Sequence, residues 1–95
     1  MDQEAALQSI IASMPQAFDA HEVILAYAHA HQTQYIEHLY AYRLEPYPFQ
    51  KAHRALGGKI AELCDSSGYT PRRGGNPRSP DIFGHESECR AWDKP

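Results

Sequence analysis

The chain has 95 residues, a formal net charge of −3 at pH 7 and 42% hydrophobic residues. This length fits a single domain spanning residues 1–95, and the apolar content is too high for a disordered chain. No apolar run approaches the ~20 residues that cross a bilayer, and the first four residues lack the cationic start of a signal peptide, so we expect a cytoplasmic protein with no membrane contact.

The first helix is predicted at residues 3–14, where apolar residues recur at the i, i+3, i+4, i+7 spacing of one buried face. It ends at Met14, because a residue before proline is disfavoured in helical backbone. The second helix has a start signal, since Asp19 is a good N-cap and Glu22 follows at capping-box spacing. Its inward face is predicted to contain Ala20, Val23, Ile24 and Tyr27.

A third helix is predicted with Thr33 as its N-cap, after a turn near residues 31–32. Pro46 and Pro48 then interrupt helical structure. The apolar stripe of this third helix is predicted to contain Tyr35, Ile36, Leu39 and either Tyr40 or Tyr42.

The fourth helix, from residue 49 to about residue 64, has two distinct faces. Gly57 and Gly58 lie within it, and Gly58 costs roughly 1 kcal/mol relative to alanine. The pair either permits the close approach of another surface or marks a helix end or kink. The predicted apolar face contains Phe49, Ala52, His53, Leu56, Ile60, Leu63 and Cys64. The predicted polar face contains Lys51, Arg54, Ala55, Gly58, Lys59 and Glu62.

After residue 65 the pattern changes to short β-segments and turns. Strands are predicted at residues 69–70 and 81–84 with a turn-rich loop at 70–80, and residues 89–92 alternate like a third strand. Trp92 is expected to be buried. We therefore predict an α+β, mostly helical domain in which three to four helices (residues 1–64) precede a short C-terminal β-hairpin (residues 65–95).

Charge is sorted along the sequence. Residues 1–49 have a net charge of −5 and residues 79–95 a net charge of −2, whereas residues 50–78 have a net charge of +4. A basic stripe that runs along one helix into a loop is typical of a phosphate-facing surface, although similar cations also occur on simple solvated faces. The cationic side chains of the basic segment are Lys51, Arg54, Lys59, Arg72, Arg73 and Arg78.

In its element order, the segment from about residue 18 to 94 resembles a winged helix-turn-helix domain. Helix 49–64 occupies the place of the recognition helix, and loop 70–80 occupies the place of the wing. The resemblance implies a small regulatory protein that binds double-stranded DNA, with the helix in the major groove and the wing on flanking phosphate. Gln50 and Arg54, near the helix start, would reach base edges. The phosphate contacts would come from Lys51, Arg54, Lys59, Arg72, Arg73 and Arg78.

The acidic first half supports a different hypothesis, a non-catalytic adaptor or inhibitor of the kind that mobile elements encode. Its helices would bind a basic protein through carboxylates and exposed tyrosines, while Tyr27 and Tyr35 are assigned to the core. A homodimer would add contacts that one small domain lacks, although no heptad pattern indicates a dimer seam.

Catalysis and cofactors are not predicted, because the chain has neither a P-loop nor a dinucleotide-binding glycine pattern. The two cysteines are expected to be reduced thiols. Zinc binding stays open, because the chain offers four ligand residues but no Cys-x-x-Cys or His-x-x-x-His pair. Those four residues are His53, Cys64, His85 and Cys89.

Overall fold

The computed structural model describes residues 2–72 and 75–95, and within them the chain forms an α+β fold with four helices and five short strands. The helices are α1 (Gln3–Ser13), α2 (Ala20–Ala30), α3 (Gln32–Ala41) and α4 (Pro48–Ser66). The strands are β1 (Ala17–Asp19), β2 (Thr70–Pro71), β3 (Arg78–Pro80), β4 (Glu86–Glu88) and β5 (Ala91–Asp93). No helix in this described part is long and apolar enough to traverse a bilayer.

The start of α2 and the end of α1 confirm the sequence predictions. The Asp19 carboxylate accepts a hydrogen bond from the Glu22 backbone N–H at 2.9 Å, and the Glu22 carboxylate accepts one from the Asp19 N–H at 3.0 Å. This reciprocal pair is a complete capping box. Helix α1 ends at Ser13, with Met14 in extended backbone as its C-cap, as expected for the residue before proline.

The break between α2 and α3 is a real turn, but its predicted cap is wrong. His31 alone separates the two helices, and it serves as the C-cap of α2 and the N-cap of α3. Helix α3 therefore begins at Gln32, and Thr33 lies inside its first turn. The His31 ring stacks on Tyr27 with centroids 5.7 Å apart, so packing, rather than a side-chain cap, holds this junction.

A three-stranded antiparallel sheet has the order β1-β5-β2. Strand β5 lies in the middle, so that Trp92 pairs with Phe18 of β1 and with Pro71 of β2. Strand β1 was not predicted, because three residues are too few to show an alternating pattern. Residues 89–92 are only partly a strand, since β5 begins at Ala91.

The strand predicted at residues 81–84 is wrong, because these residues form the turn of the β3–β4 hairpin. The Asp81 carboxylate accepts hydrogen bonds from the backbone N–H groups of Phe83 and His85 at 2.9 and 3.0 Å. Gly84 adopts a positive φ of 83°. An aspartate that bonds its own backbone and a left-handed glycine are turn-forming features, and they outweigh the short apolar pair between them.

The core lies between the sheet and helices α1, α2 and α4, and it confirms most of the predicted burial. Tyr27, Tyr35 and Trp92 are buried as expected. On α4, the buried residues include Ala52, Leu56, Ile60, Leu63 and Cys64.

Two residues predicted to face the interior are exposed. Ile36 is 64% exposed and Phe49 is 44% exposed. Phe49 lies in the first turn of α4, beyond the edge of the core, where its ring packs edge-on against Phe83 at 4.8 Å. Of the predicted α3 stripe, Tyr35 is buried whereas Leu39 and Tyr42 are only half-buried.

The glycine pair does not end α4, which continues to Ser66. A Cβ atom built on Gly57 or Gly58 would meet no heavy atom within 4 Å. No other described part of the chain therefore packs closely against the pair. Instead, the pair leaves a bare strip of backbone on the outer side of α4.

Candidate nucleic-acid interface

The first half of α4 presents its polar residues on one exposed face. Gln50, Lys51 and Arg54 are exposed, and Ala52 and Leu56 are buried on the opposite side. Neither Lys51 nor Arg54 forms an ion pair with any residue that the structure describes; the one pair found there joins Lys59 to Glu62. The α4 N-terminus adds the partial positive charge of the helix dipole to this face, so the first two turns are locally electropositive.

A cleft of about 470 Å³ lies beside this face of α4. Its second wall is the start of α2, and its third wall is the β3–β4 hairpin with the segment that follows it. The cleft contains charges of both signs, because Arg54 and Arg90 face it together with Asp81 and Glu88. Helix α4 contributes Gln50, His53, Arg54, Gly57 and Gly58 to the wall.

The remaining predicted phosphate contacts are less available. Lys59 is half-buried and lies 3.5 Å from the Glu62 carboxylate. Arg72 is also half-buried, and its guanidinium donates a hydrogen bond to the Phe18 carbonyl at 3.3 Å. Arg78 is exposed in β3 and donates to the Glu86 carbonyl at 3.3 Å. Arg73 lies outside the described residues.

The His53 ring lines the cleft on the α4 side. Its Nε2 is hydrogen-bonded to the Tyr35 hydroxyl at 2.6 Å, and its ring stacks with Tyr35 and with Phe83. Burial lowers the pKa of His53 from its ordinary value, although the Asp81 charge opposes this effect. His53 is therefore neutral at pH 7 and acts as a packing and hydrogen-bonding residue.

The four residues considered for zinc are not brought together. Cys64 is fully buried in the core, and His53 is bonded to Tyr35. Within the described residues, the group of three or more ligand atoms close enough for one ion is Asp19, His21 and Cys89. Sequence reasoning missed Asp19 and His21 as partners of Cys89, because no local spacing connects residues so far apart.

The two cysteines are free thiols, and we expect them to differ sharply in reactivity. Burial raises the pKa of Cys64 to about 11, so it is almost entirely the unreactive thiol at pH 8. Cys89 is half-buried and faces the cleft. A chromogenic disulfide reagent added to the folded, chelator-treated protein should modify Cys89 quickly and Cys64 only after unfolding.

The control for this thiol prediction is the same titration in denaturant, where two equivalents should react at once. A Cys89→Ser variant should then show no fast phase in the folded state. A fast phase that survives this substitution would contradict the assignment.

A second exposed feature is an apolar patch on α3 and the segment before α4. It surrounds a groove of about 340 Å³, and the Arg43 guanidinium covers the Tyr40 ring at 3.9 Å. Leu44 is 87% exposed. Exposed carboxylates lie on the same part of the chain at Glu37 and Glu45. The groove is lined by Ile36, Leu39, Tyr40, Arg43, Pro48 and Phe49.

These two surfaces are the features from which a function must be inferred, because no related protein provides one. Comparison of the chain with protein-family models, with curated proteins and with solved structures finds no match in any of the three.

Proposed function

We propose that the protein binds double-stranded DNA through α4 and acts as a small regulatory protein. The observation that carries this proposal is the exposed first half of α4, where Lys51 and Arg54 have no carboxylate partner among the described residues and the other face of the helix is buried. Cations held on a rigid helix and left unpaired are what phosphate contact requires.

The order of elements adds support for a winged helix-turn-helix organisation. In the winged-helix plan, a strand between the first two helices pairs with the last strand, and the recognition helix comes directly before the wing strands. Here β1 pairs with β5 and β5 with β2, while α4 directly precedes β2. Helix α3 and the β3–β4 hairpin are additions to this plan.

The roles of individual residues follow from their position along α4. Gln50 and Arg54 are near the N-terminus, the part of a recognition helix that contacts base edges in helix-turn-helix proteins. Lys51 contacts phosphate beside them, and Arg54 contacts phosphate as well. The bare backbone at Gly58 admits the DNA surface without a side chain in between. Acidic residues occur only in the second half of this exposed face, at Glu62 and Asp65.

The other predicted contacts contribute unequally. Arg78 is exposed and remains a phosphate contact from the hairpin. Lys59 and Arg72 are partly engaged within the molecule, so their share of the binding energy is smaller. Arg73 remains a prediction from the sequence.

The proposal predicts that Lys51→Ala/Arg54→Ala weakens DNA binding by at least about tenfold, since each lost contact is worth roughly 1 kcal/mol or more. The slope of log affinity against log salt concentration should fall in magnitude by about 2, because each phosphate contact contributes about 0.9. Fluorescence anisotropy with a labelled duplex of mixed sequence, measured from 50 to 300 mM salt, gives both quantities.

Arg43→Ala is the control, because it removes an exposed cation from the segment between α3 and α4, on a different surface. Its affinity and salt slope should equal those of the unmodified protein. Equal losses in both variants would show a non-specific charge effect. Absence of salt-sensitive binding to any duplex would exclude the DNA-binding proposal.

The apolar patch supports a second candidate, a protein-binding adaptor or inhibitor. Ile36, Tyr40 and Leu44 are exposed together, and aromatic and aliphatic anchors of this kind are typical of interface centres. The flanking Glu37 and Glu45 favour a basic partner. Sedimentation analysis separates this candidate from homodimerisation, since a chain that pairs through the patch would be a dimer that Tyr40→Glu converts to a monomer.

A further inference from the structure

Three residues from two distant parts of the chain converge beside the cleft. Asp19 ends β1 and caps α2, His21 lies in the first turn of α2, and Cys89 lies between β4 and β5. Their ligand atoms, a carboxylate oxygen, a ring nitrogen and the Sγ atom, all lie within 4.8 Å of one another. Asp19 is buried, and His21 and Cys89 are half-buried.

The backbone around this cluster is fixed by hydrogen bonds. Asp19 pairs with Ala91 across the β1–β5 ladder. The Ala20 N–H donates to the Arg90 carbonyl at 2.9 Å. The Cys89 N–H donates to the Pro77 carbonyl at 3.1 Å. Backbone hydrogen bonds on both sides of the cluster therefore hold the segment that carries Cys89 against the start of α2.

We propose that Asp19, His21 and Cys89 bind one divalent transition-metal ion, with Zn²⁺ preferred. Thiolate, imidazole and carboxylate are the ligand types that zinc takes from proteins, and a mixed S, N, O set disfavours Mg²⁺ and Ca²⁺, which select oxygen ligands. A tetrahedral Zn²⁺ with bonds of ~2.0–2.3 Å holds its ligand atoms roughly 3.5 Å apart. Metal binding thus requires the three ligand atoms to move about 1 Å closer together, through small changes of side-chain rotamer.

The surroundings of His21 are those of a metal ligand. Its Nδ1 is 2.8 Å from the Ser79 hydroxyl, and its Nε2 is 3.4 Å from the Ser87 hydroxyl. Whichever ring nitrogen takes the ion, the other keeps a hydroxyl partner that orients the ring and sets its tautomer. Ser79 also lies 3.4 Å from Cys89 Sγ, so one hydroxyl connects two ligands.

The carboxylate of Asp19 has the capacity to serve both the helix and the ion. Its Oδ1 atom accepts the Glu22 N–H of the capping box, and the group places a carboxylate oxygen within 4.8 Å of the His21 and Cys89 ligand atoms. His21 and Cys89 line the cleft. The fourth coordination position therefore opens to the cleft, where water completes the tetrahedron.

The site is tested with Co²⁺, which replaces zinc and reports thiolate ligation by its absorption. Chelator-treated protein, kept reduced, is titrated with Co²⁺ alone. We expect one equivalent to bind, with a thiolate-to-cobalt charge-transfer band and the visible bands of tetrahedral geometry. Zn²⁺ should then displace the Co²⁺ and bleach the spectrum.

Variants assign the ligands. Cys89→Ser should abolish the charge-transfer band, and His21→Ala should weaken binding by at least 100-fold. Ser79→Ala and Ser87→Ala each remove one hydroxyl partner of His21, and the variant that lacks the partner of the nitrogen not bound to the ion should weaken binding by about 10–100-fold. His85→Ala, an exposed histidine outside the cluster, is the matched control and should bind Co²⁺ like the unmodified protein.

A second measurement keeps the test independent of folding defects. Circular dichroism establishes that each variant is folded before titration, and Zn²⁺ should raise the melting temperature of the unmodified protein but not that of Cys89→Ser. The proposal is overturned if no Co²⁺ binds stoichiometrically, or if the charge-transfer band persists in Cys89→Ser. Either result would leave the cluster as a hydrogen-bonded packing contact.

Discussion

Phe18→Ala is expected to remove about 3–5 kcal/mol from the free energy of unfolding. Phe18 is fully buried at the junction of β1 and the core. Its ring packs edge-on against Tyr69 at 6.1 Å and lies 5.8 Å from the Trp92 ring. Removing it leaves a cavity and breaks both aromatic contacts. A domain of this size has a free energy of unfolding of roughly 5–14 kcal/mol, so the loss is a large fraction of the total stability.

Urea unfolding monitored by Trp92 fluorescence measures this loss directly, because the indole is buried beside the substituted ring. Phe83→Ala is the matched control. Phe83 is 51% exposed, so the same change in chemistry should cost much less, on the order of 1 kcal/mol. Similar losses in the two variants would contradict the placement of Phe18 at the centre of the core.

Leu56→Ala is expected to lower the free energy of unfolding by about 2–5 kcal/mol. Leu56 is fully buried in the middle of α4, on the side opposite the exposed Lys51 and Arg54. Alanine preserves the helix, so the loss reports the packing of α4 against the core. The midpoint of thermal unfolding should fall by roughly 10 °C or more.

The control for this substitution is Leu44→Ala. Leu44 is 87% exposed in the segment between α3 and α4, and its replacement should change stability by less than about 0.5 kcal/mol. The opposite result would be a large loss of unfolding free energy in Leu44→Ala and none in Leu56→Ala. It would mean that α4 buries a different face, and it would remove the basis of the DNA-binding proposal.

The helical part of the fold was predictable because its signals are local. The capping box at Asp19 and Glu22 and the proline after Met14 act within a few residues, and the apolar stripe of α4 repeats over several turns. The errors occur where such signals are absent. The α2–α3 junction depends on the packing of His31 on Tyr27, and no capping pattern in the sequence predicts this contact.

The sheet was only partly predictable, since its pairing is between distant residues. Strand β1 has three residues and is specified by its contact with β5. Residues 81–84 have strand-like apolar character, but the turn chemistry of Asp81 and Gly84 decides their conformation. In both cases tertiary context or side-chain hydrogen bonding outweighs the short hydrophobic pattern.

The candidate site shows the same division. The exposed positions of Gln50, Lys51 and Arg54 follow from helical periodicity and agree with the structure. The engagement of Arg72 with the Phe18 carbonyl could not be read from sequence, because it requires knowing that β1 exists. The Asp19–His21–Cys89 cluster was missed for the same reason.

The central position of β5 has a consequence for how the molecule folds. The bond from the Lys94 ammonium group to the Ala12 carbonyl joins residues 82 apart in sequence, and the pairing of β1 with β5 closes a loop of similar length, since Phe18 is paired with Trp92. Such closure costs entropy before its contacts repay it, which slows folding. Phe18 therefore gains its contact with Trp92 only when the last strand has paired with β1.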